Sequence, residues 1–229
     1  MGVSKKRKEM MDNIKAVLFD FDDTLGNRNG YAYYMYDNFI RTYLSDIYDN
    51  KLLKEAMLQD MMTWDQRGDS DKSYPYHKIR DKYHVELPDI DFLQYFKDNI
   101  NKYSYLCDDA LNVINYLKTK YKVGLLTNGD KISQRAKVSH AIDLDIFDVV
   151  VISGEQGYHK PAKAIYDIAI AKLNVKPDEI VMVGDNFAND VYGAINAGMK
   201  AIWIWPDDGR PMNYYVARIY KLDELLELL

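Results

Sequence analysis

The sequence predicts an α/β fold: a doubly wound parallel sheet interrupted by one inserted helical segment. Two observations carry this expectation. The runs at 14–19, 122–127, 147–152, 180–183 and 200–205 have strand length and are almost continuously apolar rather than alternating, as strands buried on both faces of a parallel sheet are. The stretch from 31 to 106 holds no convincing strand and places its apolar residues at helical spacing, the mark of amphipathic helices.

In chain order, the first strand runs through Ala16-Val17-Leu18-Phe19 into Asp20. Within the insertion, Tyr36, Phe39, Ile40 and Tyr43 share one helical face, and Leu52, Leu53, Ala56 and Met57 share another. Asp69-Ser70-Asp71 and Pro88-Asp89 read as breaks between helices, because Asp, Ser and Pro favour caps and turns. After the insertion, helices are expected at 108–120, 131–142, 162–173 and 189–197 as crossovers between the remaining strands, with Gly198 closing the last. The expected division is a core of residues 1–26 and 107–229 around a helical insertion at 27–106.

Composition narrows the function classes. With 229 residues and 48% hydrophobic content the chain can bury a substantial core. A net charge of −5 argues against a nucleic-acid partner, since phosphate backbones are held by clustered Lys and Arg. Lys5-Lys6-Arg7-Lys8 is the local exception and is read as a solvated terminus. No segment approaches the roughly 18 unbroken apolar residues that span a bilayer, and no apolar core follows the basic start. A cytoplasmic protein without a membrane partner is therefore expected. Cys107 is the single cysteine, so no intrachain disulfide can form, and it is read as a buried filler.

The chemistry sits in four short polar clusters at strand ends. Asp20 ends the first strand, where open α/β sheets bind ligands, and Asp20 and Asp22 share one side while Phe21 points into the packing. Two carboxylates so close repel and raise a pKa unless a cation joins them. A hard cation such as Mg²⁺ resolves that conflict and also neutralises an incoming phosphate. Thr127, Asn128 and Gly129 follow the second core strand and offer a hydroxyl and backbone N–H groups to phosphate oxygens. Lys160 precedes Pro161, a residue suited to the first turn of a helix, which would hold the ammonium at a helix entrance beside Asp20. Lys163 is its competitor. Gly184-Asp185 ends another strand, and Asp190 follows as either a helix cap or a group that orients Lys160.

In this order, Asp20-Phe21-Asp22-Asp23-Thr24-Leu25, Thr127-Asn128-Gly129, Lys160-Pro161 and Gly184-Asp185 with Asp190 resemble the haloacid dehalogenase-like hydrolases from Ile14 onward. The resemblance implies a magnesium-dependent phosphatase with a helical cap at 27–106, hydrolysing small phosphate monoesters such as a nucleotide, sugar or glycolate-type phosphate. It implies Asp20 as nucleophile and Asp22 as general acid and base, with Lys160 catalytic and phosphate-binding beside Thr127 and Asn128. It further implies Asp20, the Asp22 carbonyl and Asp185 as metal ligands, with Thr24 and Asp190 behind them. Asp22 disfavours dehalogenation, whose branch lacks this carboxylate; a phosphomutase keeps every one of these residues, and a non-catalytic binding module is a further alternative. Trp64, Gln66, Arg67, Tyr31, Tyr33 and Tyr34 are the candidates for substrate contact in the insertion, with helix packing as the competing reading.

Overall fold

The computed structural model describes residues 11–206, 209 and 216–229, so the basic run Lys5 to Lys8 lies outside the described residues. The strands are β1 (Ala16–Phe19), β2 (Lys122–Thr127), β3 (Val149–Ile152), β4 (Ile180–Gly184), β5 (Lys200–Ile204) and β6 (Ala217–Ile219). They form one sheet in the order β3-β2-β1-β4-β5-β6, every neighbouring pair parallel. Order reverses on either side of β1, the doubly wound arrangement. All residues of β1 and β4 are buried, which accounts for their unbroken apolar sequence.

The sheet departs from expectation at the start of β3 and in an added sixth strand. Asp148 donates its N–H to the Val123 carbonyl and Phe147 closes the turn over Leu144–Ile146, so β3 starts only at Val149. The sixth strand, of three residues, has no run long enough to be read from sequence.

The chain divides into two compact units, Met1–Gly26 with Leu106–Leu229 and Asn27–Tyr105. The second is helical: α1 (Arg28–Tyr43), α2 (Lys51–Asp65), α3 (Ser73–Tyr83) and α4 (Phe92–Asn99). Phe39 on α1 packs its ring against Tyr76 of α3 and against Phe92 and Tyr95 of α4, edge-on pairs of the kind aromatic quadrupoles favour. The buried stripe of α2 is Met57, Leu58, Met61 and Asp65; Leu52 is exposed, so the stripe expected at Leu52, Leu53, Ala56 and Met57 is displaced toward the helix C-terminus. Asp65 is buried because it serves Arg28, whose guanidinium reaches both carboxylate oxygens at 2.5 and 3.0 Å, while the Tyr36 hydroxyl donates to it at 3.0 Å. Tyr31 is packed in the core, Tyr33 donates to Glu55 at 2.7 Å and Tyr34 is exposed. Gln66 and Arg67 follow α2 with φ of 50° and 55°, and Gly68 with 95°.

In the first unit, α5 (Ala110–Lys118), α6 (Lys131–Ala141) and α7 (Lys163–Leu173) are the long crossover helices. The segment expected as a helix at 189–197 is a π-helical turn at Phe187–Tyr192 continued by Gly193–Asn196, with Gly198 at φ +86° beyond it. Cys107 is only half-buried, with burial pushing its thiol up to about 11. Among the described residues, no helix is long and apolar enough to cross a membrane.

Candidate active site

The carboxyl ends of the three central strands bring the first, second and fourth polar clusters to one edge of the sheet. Register pairs Phe19 of β1 with Leu125 of β2 and with Val183 of β4, so the residues just beyond them converge. Asp20 extends the ladder by donating its N–H to the Val183 carbonyl at 2.9 Å. The chain then turns back at once: Gly26 donates to the Phe21 carbonyl at 2.7 Å, Asp23 takes φ 54°, and Phe21 is fully buried. A β-carbon at Gly26 would stand 2.8 Å from the Phe21 ring, so only glycine lets this turn close.

Lys160 is the hub. Its ammonium donates to Asp20 Oδ1 at 2.7 Å, Asp190 Oδ1 at 2.6 Å and the Leu126 carbonyl at 2.9 Å, using the three protons it carries. Its backbone is fastened by Asn128, which accepts from the Lys160 N–H at 2.8 Å and donates its side-chain amide to the Lys160 carbonyl at 3.0 Å. Pro161 does not begin a helix as expected: Lys160-Pro161 is a cis peptide, Ala162 is the N-cap, and α7 starts at Lys163. Lys160 is thus held by a loop and by Asn128 rather than by a helix entrance. Lys163, the competitor, is exposed and pairs with Asp167 one turn along its own helix.

Asp190 is 1% exposed and is no helix cap; that role falls to Asn186, whose side chain accepts from the Asn189 N–H at 3.1 Å. The second oxygen of Asp190 accepts from the Asn186 N–H at 2.9 Å. A β-carbon at Gly184 would overlap the Asp190 carboxylate, so glycine at the end of β4 makes room for this carboxylate to reach Lys160.

Carboxylate oxygens of Asp20, Asp185 and Asp190 lie within 4.8 Å of one another. Burial pushes the Asp20 carboxyl up to about 7, with Lys160 opposing that rise and Asp190 and Asp22 adding to it. For Lys160, burial works against the charge, but Asp190 and Asp20 outweigh it and hold the ammonium above the usual lysine range. Three clustered carboxylates, two of them bonded to one ammonium, leave an excess of negative charge and an all-oxygen donor set, which fits a hard divalent cation.

Asp22 and Thr127 are joined by residues that the motifs do not announce. The Gln134 amide donates to Asp22 Oδ2 and to Thr127 Oγ1, both at 2.9 Å. Lys137, one turn further along α6, reaches both Asp22 oxygens at 2.7 and 2.6 Å. The Gly129 N–H, expected to face a phosphate oxygen, donates instead to Ser153 Oγ at 3.0 Å. Thr24 Oγ1 is buried with no hydrogen-bond partner among the described residues. The sequence did hold a signal for Gln134 and Lys137. Helix α6 leaves Ile132 78% exposed and buries Gln134, Lys137 and Val138; a crossover helix without a continuous apolar stripe must bury polar side chains against the sheet, and those need partners.

Comparison with known proteins places the chain in a family. The family model of haloacid dehalogenase-like hydrolases matches residues 14–198. The chain belongs to the haloacid dehalogenase-like hydrolases. Among curated members, glyceraldehyde 3-phosphate phosphatase of Pyrococcus furiosus is 30% identical over 207 residues, covering 84% of this chain and 81% of that protein. N-acylneuraminate-9-phosphatase of Mus musculus is 38% identical over 129 residues, 53% of this chain; the match spans about half, 52%, of the relative's length. Of the solved structures, a haloacid dehalogenase-like phosphatase from Thermococcus onnurineus is 28% identical with a TM-score of 0.62, covering 94% of this chain and 97% of that one. The hydrolase YfnB from Bacillus subtilis, solved bound to magnesium, shares the fold at 19% identity with a TM-score of 0.72, covering 95% and 99% of the two chains.

Proposed function

We propose that this haloacid dehalogenase-like hydrolase is a magnesium-dependent phosphatase of small phosphate monoesters that works through an aspartyl-phosphate. One observation carries the reading: Lys160 bonds Asp20 at 2.7 Å and Asp190 at 2.6 Å, with Asp185 in the same carboxylate cluster. That arrangement supports a nucleophile held beside a fixed positive charge, in a pocket of oxygens suited to Mg²⁺. Asp20, Asp185 and the Asp22 carbonyl would hold the ion, which when bound supplies neutralising charge for the ester dianion.

The remaining steps belong to the chain. The Asp20 carboxylate attacks phosphorus, and the bond to the leaving oxygen breaks as Asp22 delivers a proton to it. Lys160 offsets the charge of nucleophile and phosphoryl oxygens throughout, and the Thr127 hydroxyl donates to one of those oxygens. Asp22, now ionised, takes a proton from water as it attacks the acyl phosphate. Inorganic phosphate leaves and Asp20 is restored. Relatives named for glyceraldehyde 3-phosphate, N-acylneuraminate 9-phosphate and pyrimidine nucleotides support a small phosphate ester as the substrate class. The helical insertion, lying in sequence between the first and second motifs, is the proposed source of choice among such esters.

The test is phosphate release from 4-nitrophenyl phosphate by the purified protein, with magnesium and with chelator. Release that needs magnesium supports the reading. No release from this ester or from a panel of metabolite phosphates would favour the binding-module alternative.

A further inference from the structure

Two lysines divide the site between them. Lys160 serves Asp20 and Asp190, whereas Lys137 pairs with Asp22, with a side chain only 9% exposed. Burying a lysine for a surface-type ion pair gains little, because desolvation offsets the attraction. Its placement calls for another account.

Asp22 stands in a tight turn after β1, and its side chain remains 23% exposed. On geometry alone such a carboxylate can rotate between solvent and site. Lys137 prevents this by holding both oxygens, and Gln134 adds a third contact on Oδ2. The same Gln134 nitrogen spends its second proton on Thr127 Oγ1. An amide NH₂ has two protons to give and no lone pair to accept with, so Thr127 must be the acceptor in that bond. Among the described residues its own hydroxyl proton then has only the Asn128 carbonyl at 3.5 Å, beyond the usual reach of an O–H donor. That proton is left for a phosphate oxygen.

We propose that Gln134 and Lys137 are positioning residues: a bracket on α6 that fixes the Asp22 carboxylate in one orientation and sets the Thr127 hydroxyl as a donor. The inference rests on the phosphatase reading above. Its consequence is selective. An ester whose alcohol leaves poorly depends on a well-placed acid, whereas one whose leaving group is already stable as an anion does not.

The experiment compares kcat/KM for phenyl phosphate and 2,4-dinitrophenyl phosphate, both governed by the first phosphoryl transfer. Lys137→Met should lower the phenyl phosphate value by on the order of tenfold or more relative to the dinitrophenyl ester. Lys137→Arg should restore most of that ratio, since it returns charge and donors to Asp22. Combining Lys137→Met with Asp22→Asn should give a protein no slower on phenyl phosphate than Asp22→Asn alone, because a residue acting through Asp22 has nothing left to position. An equal loss on both esters, or losses that multiply in the double variant, would overturn the proposal and leave Lys137 a structural group. Should Lys137→Met fail to fold, Gln134→Leu carries the same comparison, with an unchanged ester ratio counting against the bracket. No turnover of either ester by the wild-type protein would instead sink the phosphatase reading, and this inference with it.

Discussion

Asp20→Asn is expected to abolish turnover and, in the metal-free protein, to raise stability by an amount that grows with pH. Burial holds the Asp20 carboxyl at about 7 against an ordinary 3.8. The folded chain therefore binds this proton more tightly than the unfolded chain does. The group's contribution to stability is full below about pH 4 and is lost as the pH rises to about 7. At about 1.4 kcal/mol per unit, roughly 2 kcal/mol of that contribution is gone by pH 5, where only the unfolded chain has ionised, and about 4 kcal/mol by pH 8. Asparagine keeps the shape without the charge, and Lys160 retains Asp190 and the Leu126 carbonyl as partners. Urea unfolding in chelator should show the variant's advantage over wild type widening by about 2–3 kcal/mol between pH 5 and pH 8. Magnesium should narrow the gap, because an ion bound to the native wild-type site stabilises it by mass action. An advantage that stays constant or shrinks toward pH 8 would refute the argument that Asp20 is held in a buried, carboxylate-rich site.

Further substitutions probe other parts of the account. Asp22→Asn should lose on the order of 10²–10⁴-fold in turnover while keeping magnesium-dependent thermal stabilisation, since its assigned ligand is the backbone carbonyl; loss of that stabilisation would overturn the assignment. Gly184→Ala forces a β-carbon against the Asp190 carboxylate and should cost about 1–3 kcal/mol together with turnover, whereas unchanged kinetics would mean Asp190 is not needed where it stands. Asp65→Ala strips Arg28 of its buried carboxylate and should destabilise by about 3–5 kcal/mol in urea unfolding; a cost below about 1 kcal/mol would show that Arg28 finds equivalent partners.

The parallel sheet was legible because β1 and β4 are buried on both faces and so carry unbroken apolar runs. β6 was not, because three residues hold too few positions for a pattern. On the site side, the motif residues are readable because strand ends dictate where they converge. Asp190 could be weighed only as cap or orienter until the fold showed Asn186 taking the cap. Pro161 reads as a helix start because Pro suits a first helical turn as well as a loop, and nothing local distinguishes the two. Gln134 and Lys137 escaped for a different reason: their partners Asp22 and Thr127 are fixed by the sheet, and sequence separation from Asp22 exceeds a hundred residues. Only the helix's lack of a clean apolar stripe hinted that polar groups would be buried there.

The central claim is that Asp20 becomes phosphorylated during turnover. Quenching the magnesium-loaded protein with a phosphate ester, reducing with borohydride and mapping the product by mass spectrometry reads this directly, since an acyl phosphate on aspartate is converted to homoserine. The account predicts homoserine at position 20 in the wild-type protein and none in Asp20→Asn. Turnover without modification of Asp20, or with the phosphoryl group on another residue, would contradict it.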